Sequence, residues 1–230
     1  MMDVPYTPDE IKEIVCETSR RNGLHEGYIR LVATRGEGDL GLNPQKCPRP
    51  CLFCIASTIA LYSPEKYKSG LSLVTSQQRR NNATILDPQI KSLNYLNNIL
   101  AKIEANHAGA DDALMLSQSG IVTEGSANNV FIVRDGEIFT PPIYTGTLNG
   151  ITRLTVMKLA REAGYPVFER EFTLFNVYSA DECFLTGTGT ECIAVTSVDK
   201  RVIGSGVAGP ITERLLDIFQ KHVRSVGTAL

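Results

Sequence analysis

Cys47, Cys51 and Cys54 in CPRPCLFC follow C-x3-C-x2-C, the spacing by which radical enzymes hold three irons of an iron-sulfur cluster. The run that carries two of them, CLFCIASTIALY, is continuously apolar and rich in β-branched residues. It reads as a strand buried on both faces. Strand residues three apart point to opposite faces, so Cys51 and Cys54 cannot both curl round one cluster. Lys91 is a second chemical candidate, lying between strand-like TILDPQI and the apolar helix SLNYLNNIL. Desolvated at a strand-to-helix junction, a lysine sheds its proton and acts as a Schiff-base nucleophile. A solvated lysine is the plain alternative.

Glu124, in GIVTEGSANNVF, is either a solvent-facing carboxylate at a strand end or a buried one that keeps a heterocyclic nitrogen protonated. LNGITRLTVMKLA opens a helix with glycine. The N–H groups of Ile151 and Thr152, the Thr152 hydroxyl and the positive helix end make an anion site of the phosphate-holding kind. The same residues also serve as a simple cap. In LTGTGTECI, Thr186, Thr188 and Thr190 either donate to a phosphate or carboxylate or only turn the chain. His25, His107 and His222 are scattered, which supports neither a zinc site nor a Ser/His/Asp triad.

These side chains need a scaffold. The 230 residues, 43% hydrophobic and 21% charged, are ordinary for a soluble globular protein of one large or two small domains. A formal charge of -2 offers no basic field for nucleic acid or an anionic membrane. No apolar run approaches the roughly 18 residues of a membrane span, and MMDVPYTPDEIKE lacks the pattern of a secretion signal. The expectation is a cytosolic protein.

Thr7-Pro8-Asp9-Glu10 marks a helix start that Gly23 closes. GYIRLVATRG and GLSLVTS read as strands, and YSPEKYKSG, Tyr62 to Gly70, as a linker between domains. Leu93, Leu96, Ile99, Leu100 and Ile103 trace the apolar stripe of a helix that Gly109 ends. From Ala113 short strands follow one another, with Asp135-Gly136 as a hairpin turn. Two helices interrupt them, Thr152 to Gly164 and Gly209 to about Ser225. The class is α+β, an antiparallel sheet with flanking helices.

Taken together, YIRLVATRGEGDLGLNP, IKSLNYLNNILAKIEA, TEGSANNVFIV, GEIFTPP, LNGITR and LTGTGTE resemble the fold-type IV pyridoxal 5'-phosphate enzymes. The resemblance is greatest to the branched-chain amino acid aminotransferases. It implies a D-amino acid aminotransferase-like fold: a shortened small α/β domain over residues 1–62, a linker over 63–68 and a large cofactor-binding domain over 69–230. The family's first strands, with the arginine it places on the cofactor phosphate, have no counterpart here.

The resemblance further implies that Lys91 is the Schiff-base and proton-transfer lysine. Tyr95 would bond the cofactor's phenolic oxygen and Glu124 its pyridine nitrogen, with Ile151, Thr152 and Thr188 on the phosphate. Tyr28 and Arg30, alternating along one strand face, would take the substrate carboxylate with Thr188, Gly189 and Thr190. It implies a homodimer or higher assembly and no metal, which makes the cysteine spacing a coincidence. The implied reaction is transamination of leucine, isoleucine and valine with 2-oxoglutarate, as in branched-chain amino acid biosynthesis. The alternatives are a D-amino acid aminotransferase, an aminodeoxychorismate lyase-like enzyme, or an inactive shortened homologue. The D-amino acid enzymes carry an Arg-x-His pair where this chain has YIR and VATRGEGD without histidine.

Overall fold

The computed structural model describes residues 3–59 and 61–228. Two compact units make up the chain, Met1–Ala60 with Thr228–Leu230, and Leu61–Gly227. In the first, α1 (Pro8–Arg21) begins at a capping box in which Thr7 Oγ1 accepts from Glu10 N and Glu10 Oε2 accepts from Thr7 N at 2.7 Å. Both orphan donors of the first turn are thereby satisfied. β1 (Tyr28–Thr34) and β2 (Cys51–Ser57) pair antiparallel, with Tyr28 opposite Ser57 and Thr34 opposite Cys51. The cysteine-bearing strand is not buried on both faces: exposed and half-buried positions alternate along it, because a two-stranded sheet has no second layer over its outer side. Cys51 is exposed and Cys54 half-buried.

The second unit opens within the stretch read as a linker, where α2 (Pro64–Ser69) forms. Tyr62 and Tyr67 pack against the core there. Then come β3 (Leu71–Thr75), α3 (Ala83–Leu86), α4 (Leu96–Ala108), β4 (Asp112–Leu116), β5 (Val122–Gly125), β6 (Asn129–Arg134) and β7 (Glu137–Thr140). The remainder is α5 (Ile151–Glu162), β8 (Val167–Glu169), α6 (Leu174–Tyr178), β9 (Glu182–Gly187), β10 (Glu191–Val198), β11 (Arg201–Val202) and α7 (Pro210–Ser225). The β6–β7 hairpin turns at Asp135 and Gly136, both left-handed at φ 53 and 79.

β3 to β11 form one nine-stranded sheet in the order β11-β10-β3-β4-β5-β6-β7-β8, and β9 pairs with both β10 and β6. That double pairing closes β10, β3, β4, β5, β6 and β9 into a ring. The sheet is mixed, not purely antiparallel: β10 with β3, β3 with β4, and β7 with β8 run parallel. Leu71, Leu114, Val122, Val130, Leu185 and Ile193, one from each strand of the ring, meet in a single buried cluster. The core is therefore the inside of the ring. On its outside, Phe131 and Phe184 stack at 4.9 Å in a cluster with α5 and α7 residues.

α4 lies on another part of the outside, and its apolar stripe is not the face it buries. The buried residues are Asn98, Ala101 and Ala105, and the two alanines meet Ala113 and Met115 of β4. Small side chains let the helix axis approach the sheet. Leu93, Leu96, Ile99, Leu100 and Ile103 face outward, at 38 to 60% exposure.

Candidate active site

Directly opposed residues on neighbouring strands share a face. Met115 lies opposite Glu124, Glu124 opposite Asn129, and Asn129 opposite Thr186. Met115 packs beneath α4, so the whole row faces outward from the ring. Glu124 is thus carried on the second-to-last position of a short buried strand, 4% exposed. Its Oε2 accepts from Leu148 N at 2.9 Å, Thr147 Oγ1 at 3.0 Å and Asn129 Nδ2 at 3.3 Å. Its Oε1 accepts only from Arg80 Nε, at 2.7 Å. Oε2 is thus crowded by three donors, whereas Oε1 carries one and can take a second.

Arg80 is itself buried and also donates to Asn97 and Asn98 through Nη1. A buried carboxylate keeps its charge only with this kind of partner. Sequence reading missed Arg80, because nothing in QQRRNN separates it from Arg79. It missed Asn129, Thr147 and Leu148 as well, since their contacts depend on the β5–β6 register and on a non-helical segment.

Lys91 lies in the same depression as Glu124, Tyr95, Asn128 and Leu148. Its Nζ donates to Tyr95 Oη at 3.0 Å. The expected junction is different in kind: TILDPQI contains the short helix α3, and Lys91 follows it in a segment without regular structure, exposed in this chain. Pro88 and the bonds Gln89 N to Asp87 Oδ1 and Ile90 N to Asp87 O turn the chain there. Gln89 Nε2 then donates to Thr147 O at 2.8 Å, tying the lysine's segment to the one that holds Glu124. Tyr95 is the N-cap of α4 and not a residue within it.

α5 starts at Gly150 with no side-chain cap, and its first backbone bond runs from Leu154 N to Gly150 O. The N–H groups of Ile151 and Thr152 therefore point out of the helix end without an intrahelical partner. A Cβ on Gly150 would lie 2.2 Å from Asn129 Oδ1, so only glycine lets the helix end approach the row that holds Glu124. Thr188 is exposed in the turn after β9. Thr190 closes that turn and is buried. Its N–H donates to Gly187 O, its carbonyl accepts from Tyr67 Oη and its hydroxyl donates to Asn128 Oδ1 at 2.6 Å. Thr186 is fully buried, and its hydroxyl has no partner among the described residues. Tyr28 is half-buried and Arg30 exposed on β1, in the other unit.

A family model described as Amino-transferase class IV matches residues 1–198. A relative from Methanocaldococcus jannaschii is 47% identical over 224 residues, covering 97% of this chain and 76% of its own length. The branched-chain-amino-acid aminotransferase of Pseudomonas aeruginosa is 40% identical over 93% of this chain and 70% of its own. A D-alanine aminotransferase from Bacillus licheniformis is 35% identical, over 97% and 77%. Among solved structures, the branched-chain amino acid aminotransferase from Thermobaculum terrenum in its PLP-form superposes with a TM-score of 0.88 at 35% identity. That match covers 97% of this chain and 73% of the other.

The donor set suits pyridoxal 5'-phosphate. An amine stands beside a phenol, a buried carboxylate keeps one acceptor position open, and a helix end presents unpartnered N–H groups at a glycine. These are partners for an aldehyde carbon, a pyridine N–H and a phosphate respectively. The chain belongs to the class IV aminotransferases, enzymes that work with pyridoxal 5'-phosphate.

Proposed function

We propose that the protein transfers the amino group of branched-chain L-amino acids to 2-oxoglutarate in two half-reactions, giving branched-chain 2-oxo acids and L-glutamate. The observation that carries this reading is the pairing of Lys91 with Tyr95 at 3.0 Å in the depression that also holds Glu124. The substrate class comes from the branched-chain names of the Pseudomonas aeruginosa relative and the Thermobaculum terrenum structure.

When bound, pyridoxal 5'-phosphate supplies an electrophilic carbon for the amine and a ring that takes up electrons from the substrate α-carbon. Each residue then has a defined task. Lys91 Nζ would hold the cofactor and would serve as the base that moves the substrate α-proton. Glu124 Oε1 accepts from the ring N–H and keeps that nitrogen protonated, while Tyr95 bonds the phenolic oxygen. Ile151, Thr152 and Thr188 would bind the phosphate, and Thr188 and Gly189 would take the substrate carboxylate. Thr190 shapes that turn from behind.

We infer a homodimer and a cytosolic setting from the same family likeness. The outward stripe that starts at Leu93, two residues after Lys91, and continues along α4 is an apolar surface of the sort subunits cover. The rival reading is D-amino acid transamination, favoured by the Bacillus licheniformis relative. Mixing cofactor-loaded protein with L-leucine or D-alanine and following the visible band decides between them. Bleaching by L-leucine is expected, and bleaching by D-alanine alone would overturn the proposal. Bleaching by neither would point to an inactive homologue.

A further inference from the structure

Asp112 is a buried carboxylate, 1% exposed, to which the reaction assigns nothing. It opens β4 and faces the turn Gly125-Ser126-Ala127-Asn128 that joins Glu124 to Asn129. Ser126 Oγ donates to its Oδ1 and Asn128 Nδ2 donates to its Oδ2 at 3.2 Å. Lys102 Nζ stands 3.9 Å from Oδ1.

Asn128 passes the contact on. With its amide nitrogen held by the carboxylate, its Oδ1 must face the other way, where Thr190 Oγ1 donates to it at 2.6 Å. That fixes Thr190 at the base of the turn Gly187-Thr188-Gly189-Thr190, whose closure is the bond Thr190 N to Gly187 O. A second branch runs from Ser126 O to Asn98 Nδ2 and from Asn98 Oδ1 to Arg80, the partner of Glu124. Every member of the chain is buried and satisfied, and such networks hold one geometry.

We propose that Asp112 is a positioning residue for substrate. By orienting the Asn128 amide it sets Thr190, and through Thr190 it sets the 187–190 turn that receives the substrate carboxylate. This rests on the reading of that turn given above. In Asp112→Asn an amide stands where a carboxylate accepted from Ala113 N, Ser126 Oγ and Asn128 Nδ2, so Asn128 turns over or loses its partner and the turn loosens. Thr190→Val removes only the last link and leaves the carboxylate, so it serves should Asp112→Asn fail to fold.

The test compares holoenzymes by KM and kcat for L-leucine and by the dissociation constant of 4-methylvaleric acid, a carboxylate with no amine to react. Each variant is expected to weaken both KM and that constant about tenfold, the order of one hydrogen bond to a charge. The kcat and the cofactor absorbance should change little. In the double variant the losses should not add, as befits two links of one chain. Asp111→Asn is the control. Its carboxylate binds Lys66 and Ser72 instead, so it should lose stability and not affinity. Additive losses, or variants that melt early with unchanged KM, overturn the proposal. If Thr188→Ala and Gly189→Pro also leave KM and the dissociation constant unchanged, the turn's role in carboxylate binding falls. If they raise both while Asp112→Asn and Thr190→Val do not, only the positioning role falls.

Discussion

Glu124 and Lys91 line the same depression and are held by opposite means. Glu124 projects from a closed ring of strands, buried, with four donors on its two oxygens. Lys91 hangs on an irregular segment, exposed, with one side-chain partner. The difference suits the roles proposed for the two residues. A charge that must never change place or protonation is best kept when the backbone fixes it. An amine that must bind, let go and carry a proton needs freedom to swing.

Three substitutions sharpen that contrast. Lys91→Ala should have the largest effect, lowering turnover by about 10⁴-fold, the upper range for a lost general base, while the melting temperature stays near that of the parent. A large loss of stability would show Lys91 to be part of the framework after all. Glu124→Gln comes next: the shape and the Leu148 bond persist, and single-turnover rates should fall by about 10²-fold. Glu124→Ala leaves Arg80 buried without a counter-charge and should cost about 3–5 kcal/mol in denaturant unfolding.

Smaller effects lie away from the site. Asp111 is partly buried, which works against its charge, yet Lys66 and the two Ser72 donors outweigh burial and hold its carboxyl below the ordinary range. Its contribution is therefore complete above the ordinary aspartate pKa and fades as acid protonates it. Asp111→Asn should cost about 1 kcal/mol at neutral pH, a fall of about 2–4 °C in Tm, and should flatten the acid limb of the stability curve. Least of all should thiol modification matter. Burial pushes the Cys183 thiol up to about 12, whereas Cys51 is exposed. A thiol reagent at mildly alkaline pH should label Cys51 readily and Cys183 only on unfolding; early labelling of Cys183 would show the ring opening under native conditions.

Where local chemistry decides structure, the sequence could be read directly. The Thr7 capping box, the Asp135-Gly136 turn and the glycine-led start of α5 each need only neighbours in the chain. Where distant segments decide, it could not. The stripe on α4 is a sound helical pattern, but which face meets the sheet depends on Ala113 and Met115 across the interface. The apolar run at Cys51 misleads for the same reason, since burial of both faces requires layers that β2 does not have. Family likeness singled out Lys91, Tyr95 and Glu124, which line one depression. It did not single out Arg80 or Asp112, whose buried contacts join elements far apart in the chain.

The contrast between a buried carboxylate and an exposed lysine stands or falls on where the cofactor attaches. Protein mixed with pyridoxal 5'-phosphate, reduced with borohydride and mapped by peptide mass spectrometry answers this directly. The expected result is a visible band near neutral pH, lost on reduction, with one pyridoxyl group on Lys91. Modification spread over exposed lysines such as Lys68 and Lys221, with none favoured at Lys91, would contradict the account.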